Sequence, residues 1–454
     1  MNDLKRSPST LVSGYPFVGV LPLFLARRGD FLLRLAKAHA GEVVTLRLGP
    51  TRAYLLTHPR QFEHVLRANW RSYSKGTSFW RTVRRLTGNG IVASEGETWR
   101  RSRQLMQPLF ARARIDQLTG TLAQLLREAM IMFEAHASSG VPVDMDREAR
   151  RLTLHVVLGI IFGADLAPEE MRVLLQTMGE ALAIANRRMP LDFLPEWLPL
   201  PGDRAFSESL RAIDALVVAL IERERKRTGG ERDSLLSILL HASEANGSYR
   251  MANEQIRNEL MTMVFAGTET SSATMAWLWY LLAAHPEAQS RAREEADHVL
   301  GSRLPGKEDI GGLSYCGRLV QETMRLFPPP WLLPRVAEKE DSIDGVSIPV
   351  GSPILLSSYV LHRNPAYWER PDVFDTDRFL PGRLSVQEQQ AYLPFGAGPR
   401  GCISGNLALM EMQLVAAMTA QRYRLRLAWP SAVEPSFGLT LRPRGGLPVI
   451  IERV

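Results

Sequence analysis

The sequence predicts a mainly helical protein with a small β lobe. Three observations carry this. Residues 253–284 keep an uninterrupted helical pattern, which at the standard rise would span roughly 45 Å. Further helical segments occupy 31–39, 97–110, 115–137, 147–162, 168–187 and 206–227. Short strand patterns interrupt this series at 43–48, 53–57, 343–349 and 354–358.

Each element has a local reason. The first two strands pair across a Gly49-Pro50 turn, and His58-Pro59 starts the next helix. Residues 73–92 read as a mixed loop carrying Phe79, Trp80, Val83 and Leu86. Residues 189–202 are proline-rich and apolar, with Trp197, and read as a lid connection between two helices. Thr228-Gly229-Gly230 closes the helix before it. Asn253 is placed to cap the long helix, and His285-Pro286 to end it. In its middle, Ala266-Gly267-Thr268-Glu269-Thr270-Ser271 is a run of poor helix formers, so a local opening is expected there. The same run would also suit close packing between helices.

At 454 residues, length alone suggests about two or three domains. No repeat and no long linker divides the chain, so one domain, 1–454, is expected, with residues 1–15 as a flexible tail. Only Cys316 and Cys402 occur, which excludes a disulfide framework and points to a reducing compartment. The net charge of +7 fits a nucleic acid, an anionic membrane or an acidic protein partner. No zinc-ligand spacing and no lysine-rich arm supports the first of these. Residues 11–25 are apolar but interrupted by Gly14, Pro16, Gly19 and Pro22, and too short for the ~20 residues of a transmembrane helix. They read as an extended surface segment. No cleavage pattern is present, so a cytoplasmic location is expected.

The chemistry centres on Cys402, in Tyr-Leu-Pro-Phe-Gly-Ala-Gly-Pro-Arg-Gly-Cys-Ile-Ser-Gly, residues 392–405. The glycines let backbone approach something flat and bulky. Backbone N–H groups and the helix expected over 406–420 would stabilise a thiolate. A thiolate so held can be the axial ligand of a haem iron. A buried structural cysteine is the alternative reading of a lone thiol.

This stretch resembles the haem-binding loop of the cytochromes P450, the haem-thiolate monooxygenases. Phe395, Gly398, Arg400 and Cys402 match its spacing, with Ala408 and Glu411 following. Ser404 stands where the family has glycine, and Gly405 comes one residue later. The resemblance extends from about residue 16 to residue 454. It implies haem b (iron protoporphyrin IX) between the long helix and the cysteine loop, with Cys402 as iron ligand. Thr270 and Glu269 match the family's alcohol–acid pair, which delivers protons to iron-bound oxygen. Ala266 and Gly267 would lie against the haem, as would Phe395. Trp99 and Arg103 share a helix face and would meet a propionate, as would Arg335 and Arg400. Taken alone, Trp99 and Arg103 also fit an ordinary solvated basic helix. Glu322 and Arg325, with Arg378, match a buried structural cluster, although Thr376 replaces that motif's usual proline. Phe79, Trp80, Val83, Leu86, Phe265, Trp331, Leu332, Leu333 and Phe437 are implied substrate-pocket residues.

The expected reaction is insertion of one oxygen atom from O2 into a hydrophobic substrate of fatty-acid, terpenoid or polyketide type. The sequence contains no flavin domain and no iron–sulfur cysteine cluster. Electrons are therefore expected from a separate ferredoxin or flavodoxin with an NAD(P)H-dependent reductase. Arg100, Arg101, Arg112 and Arg114 are its expected docking patch. No nucleic acid and no transmembrane anchor are expected. A peroxygenase or rearrangement enzyme, a non-catalytic haem sensor and a cysteine hydrolase are the alternatives. The alcohol–acid pair, the lid-like segments and the absence of a placed histidine argue against each in turn.

Overall fold

The structure, a computed structural model, describes residues 10–163, 166–189, 198, 200–227, 234–245, 251–429 and 432–454. Its backbone contacts divide into two compact units. The first comprises Met1–Phe79, Gln321–Cys402 and Phe437–Leu441; the second comprises Trp80–Val320, Ile403–Ser436 and Arg442–Val454.

The first unit holds most of the β structure. Its six-stranded sheet runs in the order Thr10–Val12, Val43–Leu48, Thr51–Leu56, Pro353–Leu355, Arg335–Ala337, Tyr73–Ser74. The predicted hairpin is present, with Thr45 opposite Tyr54, and Gly49 turns it at φ +63°. Leu56, Phe62, Ile348, Ile354, Leu361 and Trp368 form the core beneath. Pro59–Glu63 is the helix predicted after His58, whose ring accepts from Arg60 N. Thr10–Val12 is a strand, and the rest of the expected tail, up to residue 9, lies outside the described residues. Residues 11–25 are not wholly extended, because Leu21–Ala26 is a short helix.

The second unit is built on the predicted central helix, Asn253–Ala284, 32 residues long. It is buried nearly all round, polar Glu259, Thr268, Glu269 and Ser272 included. Trp279 fixes one end, donating to Thr419 Oγ1 at 3.1 Å and meeting Phe133 edge-on. The helix starts from Ala252, not from a capping Asn253, whose side-chain oxygen accepts from Arg225 at 2.6 Å instead. No local opening occurs at 266–271. The hydroxyls of Thr270 and Thr274 donate back to the preceding turn while the helix stays continuous.

Two further readings change. Residues 78–87 are a helix, Ser78–Thr87, not a loop. The helix expected over 115–137 is two, Arg112–Gln117 and Thr119–Ser139, separated at Leu118. The lid connection lies outside the described residues at 190–197, with Trp197, and at 199; so does the Thr228-Gly229-Gly230 stop.

Candidate functional site

In the first unit the cysteine loop folds back on itself. Cys402 N–H donates to Phe395 O at 3.0 Å, and Gly401 N–H to Gly398 O at 3.0 Å. Gly396 and Gly398 both take left-handed φ, +68° and +69°. A Cβ on Gly398 would stand 1.9 Å from the carbonyl oxygen of Leu66, so the loop lies directly on that backbone. Cys402 is exposed, and Phe395 and Arg400 are half-buried. The helix predicted over 406–420 is Gly405–Arg422. Ser404 precedes it at φ −96°, a conformation any residue adopts, so a serine there costs the loop no strain.

A charged scaffold sits behind the loop. Arg325 grips Glu322 with two bonds, 2.6 and 2.7 Å, and both side chains are fully buried. Arg325 also donates to the carbonyls of His362, Pro371 and Val373. Arg378 stands beside them, its Nε 3.5 Å from Glu322 Oε1. His362 ties this cluster to the loop. Its Nδ1 faces Arg325 O at 3.2 Å, and its Nε2 accepts from Leu393 N–H at 2.9 Å. Burial, with Arg325 nearby, lowers its pKa to about 3, so it stands neutral.

The candidate pocket residues of this unit differ in burial. Trp331 is buried, donates to Gly438 O at 2.8 Å and meets the Phe437 ring edge-on at 5.1 Å. It is a packed anchor. Phe437 is half-buried, with its ring over Gly29, where a Cβ would come within 2.0 Å. Leu332 is buried and Leu333 half-buried. Both precede the strand of Arg335, which is itself buried and donates to Pro334 O at 2.9 Å.

In the second unit the central helix carries Phe265, buried, and Ala266 and Gly267, half-buried. Thr270 Oγ1 donates to Ala266 O at 2.7 Å. Glu269 is clamped: Arg150 Nη1 stands 3.0 Å from Oε2, and Arg442 Nη1 3.2 Å from Oε1. Asp146 answers both arginines, at 3.4 Å to Arg150 and 2.8 Å to Arg442. Two acids and two arginines thus balance in a cluster that is buried except at Arg150. Burial opposes the charge of Arg150, but Glu269 and Asp146 raise its pKa overall. None of Asp146, Arg150 or Arg442 carried a local sequence signal.

Glu411 received only a motif match from the sequence. It is buried and bonded to Ser271, its Oε1 has no partner, and burial pushes its pKa up to about 8. Trp99 is buried and Arg103 half-buried on one helix, where Arg103 also donates to Gln107 at 3.2 Å. Trp80 and Leu86 are buried and Val83 half-buried on Ser78–Thr87, which also carries Phe79. The basic patch is locally answered: Arg100 and Arg101 both pair with Glu97, and Arg112 with Asp116.

The donor set fits a haem. An exposed thiol follows two left-handed glycines, and the same unit buries Arg335 and presents Arg400, cations suited to carboxylates. Among the described residues no helix is long and apolar enough to cross a membrane, and no metal-ligand cluster occurs.

The "Cytochrome P450" family model matches residues 10–447. Cyclooctatin synthase of Streptomyces melanosporofaciens is 34% identical over 95% of this chain and 91% of its own. Cyclooctat-9-en-7-ol 5-monooxygenase of the same organism is 35% identical over 98% and 95%. Pentalenene oxygenase of Streptomyces avermitilis is 31% identical over 94% and 95%. The crystal structure of the cytochrome P450DA heme domain superposes with a TM-score of 0.87 over 99% of this chain and 98% of that one, at 24% identity, a likeness of fold.

Proposed function

The chain belongs to the cytochrome P450 family, and on that premise we propose that it oxygenates an apolar, terpenoid-type substrate. The Cys402 loop carries this reading, with its thiol exposed after Gly396 and Gly398. Two relatives are named for an alkenol and an alkene, which supports an apolar substrate with C–H and C=C bonds. The apolar side chains of Leu332, Leu333, Phe265 and Phe437 agree with it.

Cys402 would hold the haem b iron, and Trp99, Arg103, Arg335 and Arg400 its carboxylates. Haem, when bound, supplies activation of O2 and insertion of one of its atoms, the other leaving as water after two electrons and two protons. The protein's own residues handle the protons. Thr270 donates a hydrogen bond from its hydroxyl to Ala266 O at rest, and its oxygen lone pairs stay available to accept one. Glu269, beside it in sequence, is an oriented acid whose two oxygens are held by different arginines. Arg150 is the more exposed of the two, 28% against 9%, so it is the contact that yields to water first. Glu322, Arg325 and Arg378 would hold the loop scaffold.

The two electrons would come from a ferredoxin or flavodoxin with its NAD(P)H-dependent reductase, in the cytoplasm. Because Glu97 and Asp116 already answer three of the patch arginines, docking there would rest on a small net charge.

The test is spectroscopic. The reduced, CO-bound protein should show the red-shifted Soret band of thiolate-ligated haem, and Cys402→Ala should lose it. A band unchanged in that variant would remove the reading.

A further inference from the structure

In the second unit the first turns of the central helix grip residues 87–93. Gln255, Asn258, Glu259 and Thr262 share one face of Asn253–Ala284 by their spacing of three and four. The segment rests directly on that face. A Cβ on Gly90 would stand 2.2 Å from Thr262 Oγ1 and 2.5 Å from Asn258 O, and one on Gly88 would stand 2.3 Å from Asn258 Oδ1. Gln255 Nε2 donates to Asn89 O at 3.2 Å, and Thr262 Oγ1 to Thr87 O at 3.4 Å.

Glu259 stands at the centre and is fully buried. Its Oε2 accepts from Ile91 N–H at 2.7 Å, while its Oε1 accepts from Ser102 Oγ at 2.6 Å and from Gln255 Nε2 at 2.6 Å. All three donors are neutral. Burial pushes the pKa of this carboxyl up, against the pull of these bonds. The two oxygens sit in one rigid group, yet they hold different segments. Ile91 follows the helix Ser78–Thr87, which carries Trp80, Val83 and Leu86. Ser102 lies on the helix Gly96–Met106, between Trp99 and Arg103.

We propose that Glu259 is a positioning residue: its carboxyl fixes Ser78–Thr87 and Gly96–Met106 at one spacing from the central helix, and so sets the width of the substrate pocket. This rests on the oxygenase reading, in which Trp80, Val83 and Leu86 face substrate while Trp99 and Arg103 hold a haem carboxylate. Hydrogen-bond geometry carries the effect, not charge. An amide at 259 keeps it, because its oxygen takes Ile91 N–H while its NH2 donates to Ser102 Oγ, which turns to accept.

Imidazole and 4-phenylimidazole both ligate haem iron, and only the second fills space beyond it. In the holoprotein, Glu259→Met should raise the dissociation constant of 4-phenylimidazole about fivefold or more relative to that of imidazole. Glu259→Gln should keep the wild-type ratio. Ser102→Ala removes one of the three bonds and should raise the ratio by less; it serves in place of Glu259→Met if that variant does not fold. Thr419→Val removes the Trp279 bond elsewhere on the central helix, controls for lost stability and should leave the ratio unchanged. A ratio unchanged in both Glu259→Met and Ser102→Ala, or altered equally by Met and Gln at 259, overturns the proposal. Amide exchange at Ile91, which needs no haem, should quicken about tenfold in Glu259→Met and not in Glu259→Gln. Equal exchange in wild type and both variants would overturn it as well. A wild type without the red-shifted CO band would sink the oxygenase reading alone, because the exchange result is read without haem.

Discussion

Arg442 donates through one nitrogen, Nη1, to the backbone carbonyl of Glu269 at 3.1 Å, and the same atom lies 3.2 Å from that residue's carboxylate. One side chain from the C-terminal region thereby fixes both the main chain and the acid of the central helix. Replacing it by Met would leave the buried Asp146 and Glu269 sharing the single charge of Arg150. Arg442→Met should lower stability by about 3–5 kcal/mol in urea unfolding. A loss under 1 kcal/mol would mean the acids find water instead.

Gly398 and Gly396 share a backbone conformation but not a neighbourhood. Gly396→Ala would meet only Leu333, at 3.6 Å, and should cost about 1–2 kcal/mol of strain. Gly398→Ala would collide with the Leu66 carbonyl and should fail to retain haem. Thermal melts and haem content of the two purified variants check the contrast; equal behaviour would refute it.

His362 should make the fold acid-sensitive. The unfolded chain takes up its proton near pH 6.5, whereas the folded site resists to about 3. Its contribution is thus present above about 6.5 and is lost as pH falls towards 3. His362→Gln should be less stable at pH 7 but should lose less than wild type between pH 7 and 4. Parallel pH profiles in urea titrations would count against this.

Glu411 has the opposite sign. Its folded pKa of about 8 exceeds the ordinary 4.5, so folding retains a proton between those values. Stability from this group is greatest below about 4.5 and declines as pH rises to about 8. Glu411→Gln should therefore gain melting temperature relative to wild type at pH 8 more than at pH 5. A constant difference would indicate that Glu411 is ionised throughout.

Thr270→Ala should fold, bind haem and bind substrate, yet turn NAD(P)H mainly into peroxide. The lost group is a hydroxyl that now donates to Ala266 O, so the helix itself loses little. Product yield per NAD(P)H, measured beside peroxide release, decides it; an unchanged yield would leave Thr270 without a proton role.

The parts written locally in the chain were readable. Asn253–Ala284 announces itself through its long helical pattern and His285-Pro286, and Glu322 and Arg325 are three apart on one helix. Ser78–Thr87 was obscured because Arg81, Arg84 and Arg85 alternate with its apolar residues. Yet 79, 83 and 86 already carry helical spacing. That Asn253 does not cap the helix could not be foreseen, since Arg225, 28 residues away, occupies its side chain. The Glu269 clamp was invisible for the same reason at greater range: Arg150 lies 119 residues before it, and Asp146 and Arg442 are 296 apart. No pattern rule links charges at such separations.

The six-stranded sheet joins chain segments that leave the ribosome far apart in time. Gln61 bonds to Asp344, 283 residues later, and Thr51–Leu56 pairs with Pro353–Leu355. At about 5–20 residues per second of synthesis, the early hairpin waits on the order of tens of seconds for its neighbour. Over that interval Val43 and Leu56 have Phe62 and Val65 beside them but lack Ile343, Ile348 and Ile354, which complete the same core. The nascent hairpin is therefore where a chaperone would be needed, and where slowing translation would cost soluble yield.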